Sequence, residues 1–407
     1  MSATTEQPIE TIDLGDLEVW RDGPPHEIFD RLRREAPIHW SPMATWDDEP
    51  GFWSITRAED IERVSRDWQT FSSERGGILA LDNTVPVDLQ NSMFIGMDPP
   101  RHDRIKAIFQ KVFAPKPIAQ HEPTIRAIAE EVIGRLEGRR QADLVQDVAQ
   151  PIVARVIGRF LGLPEKDDAL WADLTNRGMG FGDDQLQPRG LADTIITGME
   201  AVPLMVAEVR ARRERPTDDL ISALVHAEVD GERLDDSEIV WGMALLLAAG
   251  HDSTRATFAN GMLGLLHDAD AMATLVADPE LIPDAVEEFL RMYPAFSHFR
   301  RTATQDVEMH GVTIREGDKV VLWYPSSNRD ESLYECPHQL DVERRPEHHA
   351  FGAGGRHFCL GTALARLELR VMFEVTLRRF PNMELIEEPE RVASLLINQP
   401  RSVPVRL

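Results

Sequence analysis

One cysteine in this chain is set up to do chemistry. Cys359 lies in the stretch Phe351–Gly361, where Gly352, Gly354, Gly355 and Gly361 surround it, and a helical pattern opens at Thr362. Glycine lets backbone approach a flat ligand and turn N–H groups towards a sulfur. A cysteine just ahead of a helix has its thiolate favoured by the helix dipole and by free N–H donors. The pattern suits a thiolate held beneath a flat ligand. By itself it also suits a glycine-rich turn around a small buried cysteine.

A second candidate group lies in Leu246–Thr254, inside a helix expected from about Asp236 to Leu266. Asp235 and Glu238 have capping-box spacing at its start. At about 1.5 Å per residue this helix is roughly 45 Å long and crosses the whole domain. Ala248, Ala249 and Gly250 leave room for a ligand against its middle. Asp252 and Ser253 beside that gap offer a carboxylate and an alcohol for relaying protons. Without the cysteine loop, a buried helix with a hydrogen-bonded polar turn fits as well. Glu288 and Arg291 stand one helical turn apart; by themselves they read as a surface ion pair.

The elements that must position these residues can be traced along the chain. Gly51–Thr56 alternates as a strand. From about Pro117 to Leu266 the apolar spacing is mainly helical, with breaks at Gly162–Pro164 and Arg215–Thr217. Val307–Ile314 and Lys319–Trp323 read as short strands, and a helix returns from about Leu360 to Arg379. No repeat or low-complexity linker invites a cut. Residues 1–407 are expected to form one domain, mainly α with a minor β lobe (an α+β fold).

The 407 residues are 42% hydrophobic and 28% charged, ample for a large core. A net charge of −25 disfavours nucleic acid as a partner, because phosphate binding needs Lys and Arg to displace counterions. Two cysteines, Cys336 and Cys359, cannot build a disulfide framework or a four-cysteine metal site. No signal-peptide pattern and no apolar run of about 18 residues occurs, so a cytoplasmic protein without a membrane span is expected.

Taken in order from Phe52–Arg57 to the carboxyl terminus, these segments resemble the cytochrome P450 family of haem-thiolate monooxygenases. The resemblance implies haem b between the long central helix and the helix after the cysteine loop, with Cys359 as the iron's axial ligand and Phe351, Gly354 and Gly361 framing it. His102, Arg301 and His357 match positions that contact the haem propionates. Lys106 stands where the family usually has arginine, and supplies a point charge without a bidentate fork. Glu288, Arg291 and Arg344 match a buried salt-bridge triad; after Glu288 and Arg291 come Asn328–Asp330, then Arg344 and the cysteine loop. The family's acid–threonine pair is here Asp252 and Ser253, with Thr254 next. Serine lacks the stiff β-branch, so Thr254 is a second candidate for the relay. The cysteine loop is one residue longer than the family's commonest form, as in bacterial sterol and branched-lipid hydroxylases.

The resemblance implies hydroxylation of a hydrophobic small molecule, steroid-, terpenoid- or fatty-acid-like. Oxygen is the oxidant, and electrons come ultimately from NAD(P)H through a separate ferredoxin or flavodoxin and its reductase. A peroxide-driven peroxygenase and a haem-based carrier or sensor are the competing readings. The pocket is expected between the central helix, the loop 77–95 and the stretch Tyr293–His298. Its candidate walls are Ile78, Leu79, Leu81, Val85, Met93 and Phe94 from the loop, and Ala248 and Ala249 from the helix. Ala295, Phe296, Leu396, Ile397 and Phe181 complete them. Arg189, near a glycine-rich lid, is a candidate anchor for a carboxylate. Arg101, Arg104, Lys106, Lys111, Arg366 and Arg370 are candidates for a basic docking patch.

Overall fold

The computed structural model describes residues 7–46, 49–82, 85–179, 185, 188–229 and 231–407. Six helices frame the site: α1 (Arg101–Val112), α2 (Gln150–Leu161), α3 (Leu191–Glu214), α4 (Asp236–His267), α5 (Ile282–Met292) and α6 (Thr362–Arg379). The strands used below are β1 (Ile38–Ser41), β2 (Phe52–Ile55), β3 (Phe71–Ser72), β4 (Gln141–Asp143), β5 (His298–Ala303), β6 (Lys319–Trp323), β7 (Glu384–Leu385) and β8 (Pro404–Arg406).

The long central helix forms where its pattern and caps predict. Asp235 accepts from the Glu238 N–H at 2.8 Å while Glu238 reaches back to the Asp235 N–H at 3.1 Å, which closes the capping box. The helix then runs unbroken through Gly250, packing on α2, α3, α5 and α6. Gly261 permits that closeness: a Cβ there would lie 2.7 Å from the Phe373 ring of α6. A core of apolar side chains from α1, α2, α4, α5 and α6 surrounds the helix and supplies most of the burial that holds the domain.

The strand lobe is a five-stranded sheet in the order β1-β2-β6-β5-β3. β6 pairs parallel with β2, Val320 opposite Trp53, and antiparallel with β5, Val320 opposite Arg301. Side chains alternate along β5. Phe299 and Arg301 therefore face the helical domain, and Arg300 turns the other way to pair with Asp82. The smaller sheet β7-β8-β4 joins the carboxyl terminus to residues 141–143. The sequence pattern gave no sign of it, since strands this short carry almost no periodicity.

Candidate active site

The cysteine loop is shaped by backbone that only glycine adopts easily. Gly352, Gly354 and Gly355 have φ of 88°, 81° and 77°. A Cβ at Gly355 would also come within 2.4 Å of the Ser65 carbonyl. The loop closes on itself through the Cys359 N–H, which donates to the Phe351 carbonyl at 2.9 Å. Gly361 caps α6, and its N–H donates to the Cys359 sulfur. Protein encloses Cys359 from outside, and its side chain is accessible from an internal cavity.

Burial raises the Cys359 pKa, and the Gly361 N–H with the cations Lys106 and Arg366 offsets only part of that. The helix terminus alone therefore does not ionise this thiol; a bound cation is needed to hold the thiolate. Lys106 borders the cavity, as expected of a residue facing the haem, and is also bonded to the cysteine loop. Its ammonium donates to the carbonyls of Arg356 and of Phe358 (2.7 Å for the latter), because three donors on a flexible stem find loop carbonyls first.

The cavity, about 270 Å³, runs from this sulfur to the middle of α4. Ile78, Leu79, Val85, Met93, Phe94, Ala248, Ala249, Ala295, Phe296 and Leu396 line it. Two expected walls do not. Leu81 packs with Trp20, Phe52 and Trp323 in the core under the sheet. Ile397 packs with Ala256 and Val392 and does not border the cavity as its neighbour Leu396 does. Phe181 lies outside the described residues. Arg189 is not a spare cation: its guanidinium is paired with Asp193.

One end of the cavity gathers basic groups, of which Arg301 has no carboxylate partner among the described residues. Arg301 is 4% exposed, and its Nη1 donates to a backbone carbonyl, that of Arg300, at 2.7 Å. Burial pulls its pKa down. His102 and His357 stack with ring centroids 4.4 Å apart. The Nδ1 of His102 meets Asp103 at 2.9 Å, and its Nε2 has no partner among the described residues. His357 Nε2 lies 3.2 Å from Ser73 Oγ. Burial lowers the pKa of both imidazoles; Asp103 opposes this at His102, and Arg301 adds to it at His357. Buried donors without anions are costly unless something anionic completes them. With an apolar slot between them and a sulfur beneath, these residues fit a flat dianionic macrocycle ligated by thiolate.

At the other wall, the hydroxyl of Ser253 donates back to the Ala249 carbonyl at 2.6 Å and borders the cavity. Thr254 borders it too, but its hydroxyl is hydrogen-bonded to Glu368 of α6. Asp252 turns away: it pairs with Arg255 at 2.8 Å and meets His251 Nδ1 at 3.1 Å. Burial works against its ionisation, yet Arg255 and His251 prevail and lower its pKa. Glu368 was not found in the sequence. Burial raises its carboxyl to about 8, opposed only by the Thr254 bond, so at neutral pH it is mostly protonated. Its one signal is a carboxylate on the apolar face of α6, between Leu367 and Leu369.

Away from the cavity, Glu288 is fully buried. It accepts from Arg291 Nε and Nη2, both at 2.7 Å, and Arg344 Nε lies 3.3 Å from it. Three of the six residues of the expected basic patch are ion-paired: Arg104 with Glu238, Arg366 with Glu287, and Arg370 with Glu122 and Glu374.

A mainly helical fold with a small sheet lobe, and a cysteine loop beneath a cavity edged by buried cations, defines the haem-thiolate class. Comparison with known proteins agrees. The family model for cytochrome P450 matches residues 198–400. A methyl-branched lipid omega-hydroxylase of Mycobacterium tuberculosis is 37% identical over 98% of this chain and 95% of its own length. A steroid C26-monooxygenase of Mycolicibacterium smegmatis is 34% identical, covering 97% and 95%. A Mycobacterium marinum cytochrome P450, solved in complex with pseudoionone, superposes with a TM-score of 0.91 at 34% identity, covering 98% of this chain and 99% of that one. The chain belongs to the cytochrome P450 family. It is of the family's monooxygenase class, and membership implies a haem iron.

Proposed function

We propose that this enzyme hydroxylates a neutral, hydrophobic small molecule of the branched-lipid, steroid or terpenoid kind, with O2 and electrons drawn from NAD(P)H through a separate ferredoxin or flavodoxin. One observation carries the reading: an apolar cavity with Cys359 at one wall and the Ser253 hydroxyl at another. Bound haem supplies the redox chemistry that activates oxygen, helped by electron donation from a thiolate.

The chain's own residues do the rest. Cys359 would ligate the haem iron through its sulfur, held in place by the Gly361 N–H and by the closed loop. Arg301, His102 and His357 would hold the two propionates, which would give Arg301 the anion it lacks. Phe296, Leu79, Ala248 and Leu396 exclude water and orient the substrate by shape. Ser253 can turn its Oγ–H from the Ala249 carbonyl into the cavity and pass a proton there. Asp252 resupplies it once its carboxylate has swung off Arg255 and taken up a proton from solvent. The cavity's cations, Arg301 and Lys106, are assigned to the haem end, which favours a substrate without a charge. Names of relatives support the class: one is a branched-lipid hydroxylase, one a steroid monooxygenase and one, from Pseudomonas putida, a linalool 8-monooxygenase.

Titrating the haem-loaded protein with a methyl-branched fatty alcohol, a sterol, linalool and benzoate, and following the low-to-high spin shift of the Soret band, tests this. Saturable shifts from the first three and none from benzoate are expected. A shift confined to benzoate would overturn the neutral, aliphatic assignment.

A further inference from the structure

A second hollow, about 1070 Å³, lies between the segment from Leu17 to His26, the carboxyl-terminal half of α4 and the stretch 388–401. It is separate from the substrate cavity, although the stretch 391–398 borders both: Arg391 and Asn398 face the hollow, and Leu396 faces the cavity. Its floor is cationic. Arg329 is 4% exposed and faces the hollow, and its Nη1 has no hydrogen-bond partner among the described residues. Arg391 donates to two neutral amides, Asn260 Oδ1 at 2.8 Å and Asn398 Oδ1 at 2.6 Å. Among the described residues neither guanidinium has an ion-pair partner.

The carboxylates closest to Arg329 are already engaged. Glu288 is held by Arg291 and Arg344, and Asp30 by Arg33 and His338. Burial lowers the pKa of both arginines, Arg329 to about 10. A guanidinium still carries its charge at neutral pH. One buried and one half-buried fork on the same floor, neither ion-paired among the described residues, are costly by themselves and favourable once an anion lies between them.

We propose that this hollow binds a small organic anion, its carboxylate or phosphate head on Arg329 and Arg391 and its short apolar body against Leu263 and Met292. The rim limits the charge of the guest. Asp22 and Glu390 are exposed there, whereas Glu18 is tied to Arg21 and Glu388 to His267. Acids around a cationic floor repel a polyanion and admit a single anionic head.

Calorimetric titration of the haem-loaded protein with butyrate and with inorganic phosphate tests the site, with sodium chloride holding ionic strength constant. One-to-one saturable binding of either anion is expected; saturation by butyrate alone assigns a carboxylate head, and by phosphate alone a phosphate head. Arg391→Gln should weaken that binding at least tenfold. Leu263→Trp, which narrows the hollow where the apolar body would lie and removes no guanidinium, should weaken it as well. Both variants should keep the carbon monoxide difference band of the thiolate-ligated haem. No saturable binding of either anion, or wild-type affinity in a folded Arg391→Gln or Leu263→Trp protein, would overturn the proposal.

Discussion

Replacing Glu288 by alanine should unfold much of this protein's margin without touching its chemistry. The carboxylate is 0% exposed, takes two 2.7 Å bonds from Arg291, and also accepts the Asp341 N–H at 3.1 Å. Its loss strands a guanidinium that is itself 0% exposed. Arg291 keeps two bonds through Nη1, to the carbonyls of Asn328 and Pro337, both at 2.8 Å, but these do not neutralise its charge. Breaking one side of a buried pair costs about 3–5 kcal/mol, against a total stability of roughly 5–15 kcal/mol. Unfolding entropy of about 2.1 cal/mol/K per residue, over 407 residues, converts that to a fall in Tm of about 4–6 °C. Scanning calorimetry of holoprotein measures it, with haem retention read in parallel. The double variant Glu288→Leu/Arg291→Met removes both charges and should lose less than Glu288→Ala alone. A Tm within about 1 °C of wild type for Glu288→Ala, or a double variant worse than both singles, would refute the reasoning.

The axial ligand is tested by the reduced, carbon monoxide-bound spectrum: Cys359→Ser should lose the red-shifted Soret band and Cys336→Ser should keep it. Ser253→Ala should lower product formed per NADH oxidised several-fold, with the missing electrons recovered as hydrogen peroxide. Thr254→Ala should change that ratio little, because its hydroxyl is committed to Glu368; the opposite ranking would transfer the relay to Thr254. Asp252→Asn should slow turnover itself, since an amide cannot exchange protons as a carboxylate does. Glu368 supplies a pH signature. Its folded pKa of about 8 lies above the ordinary 4.5, so burying it costs nothing below about pH 4.5 and destabilises increasingly up to about pH 8. Glu368→Gln should flatten that fall in stability, measured by urea midpoints from pH 5 to 9; an unchanged slope would place the carboxyl's ionisation elsewhere.

Much of the site was legible in the order of residues because it rests on local rules. The glycines around Cys359 and the Asp235–Glu238 cap depend on near neighbours, so a linear pattern reveals them; the spacing of Glu288 and Arg291 reads by itself as a surface pair, and the fold buries it. The helical body and the strands at Phe52–Ile55 and Lys319–Trp323 follow from hydrophobic period for the same reason. What the chain could not disclose depends on partners distant in sequence. Leu81 and Ile397 are as apolar as Ile78 and Leu396, and only packing sends one pair to the core and the other to the cavity. Lys106 became a clasp on the cysteine loop, and Arg104 and Arg366 became ion-pair partners, because carbonyls and carboxylates hundreds of positions away or on another helix face them. Thr254 and Glu368 meet only where α4 crosses α6. Sequence determined which groups exist and which elements carry them; tertiary structure decided which charges are satisfied, since burial and pairing are properties of surroundings that a side chain acquires only when the chain has folded.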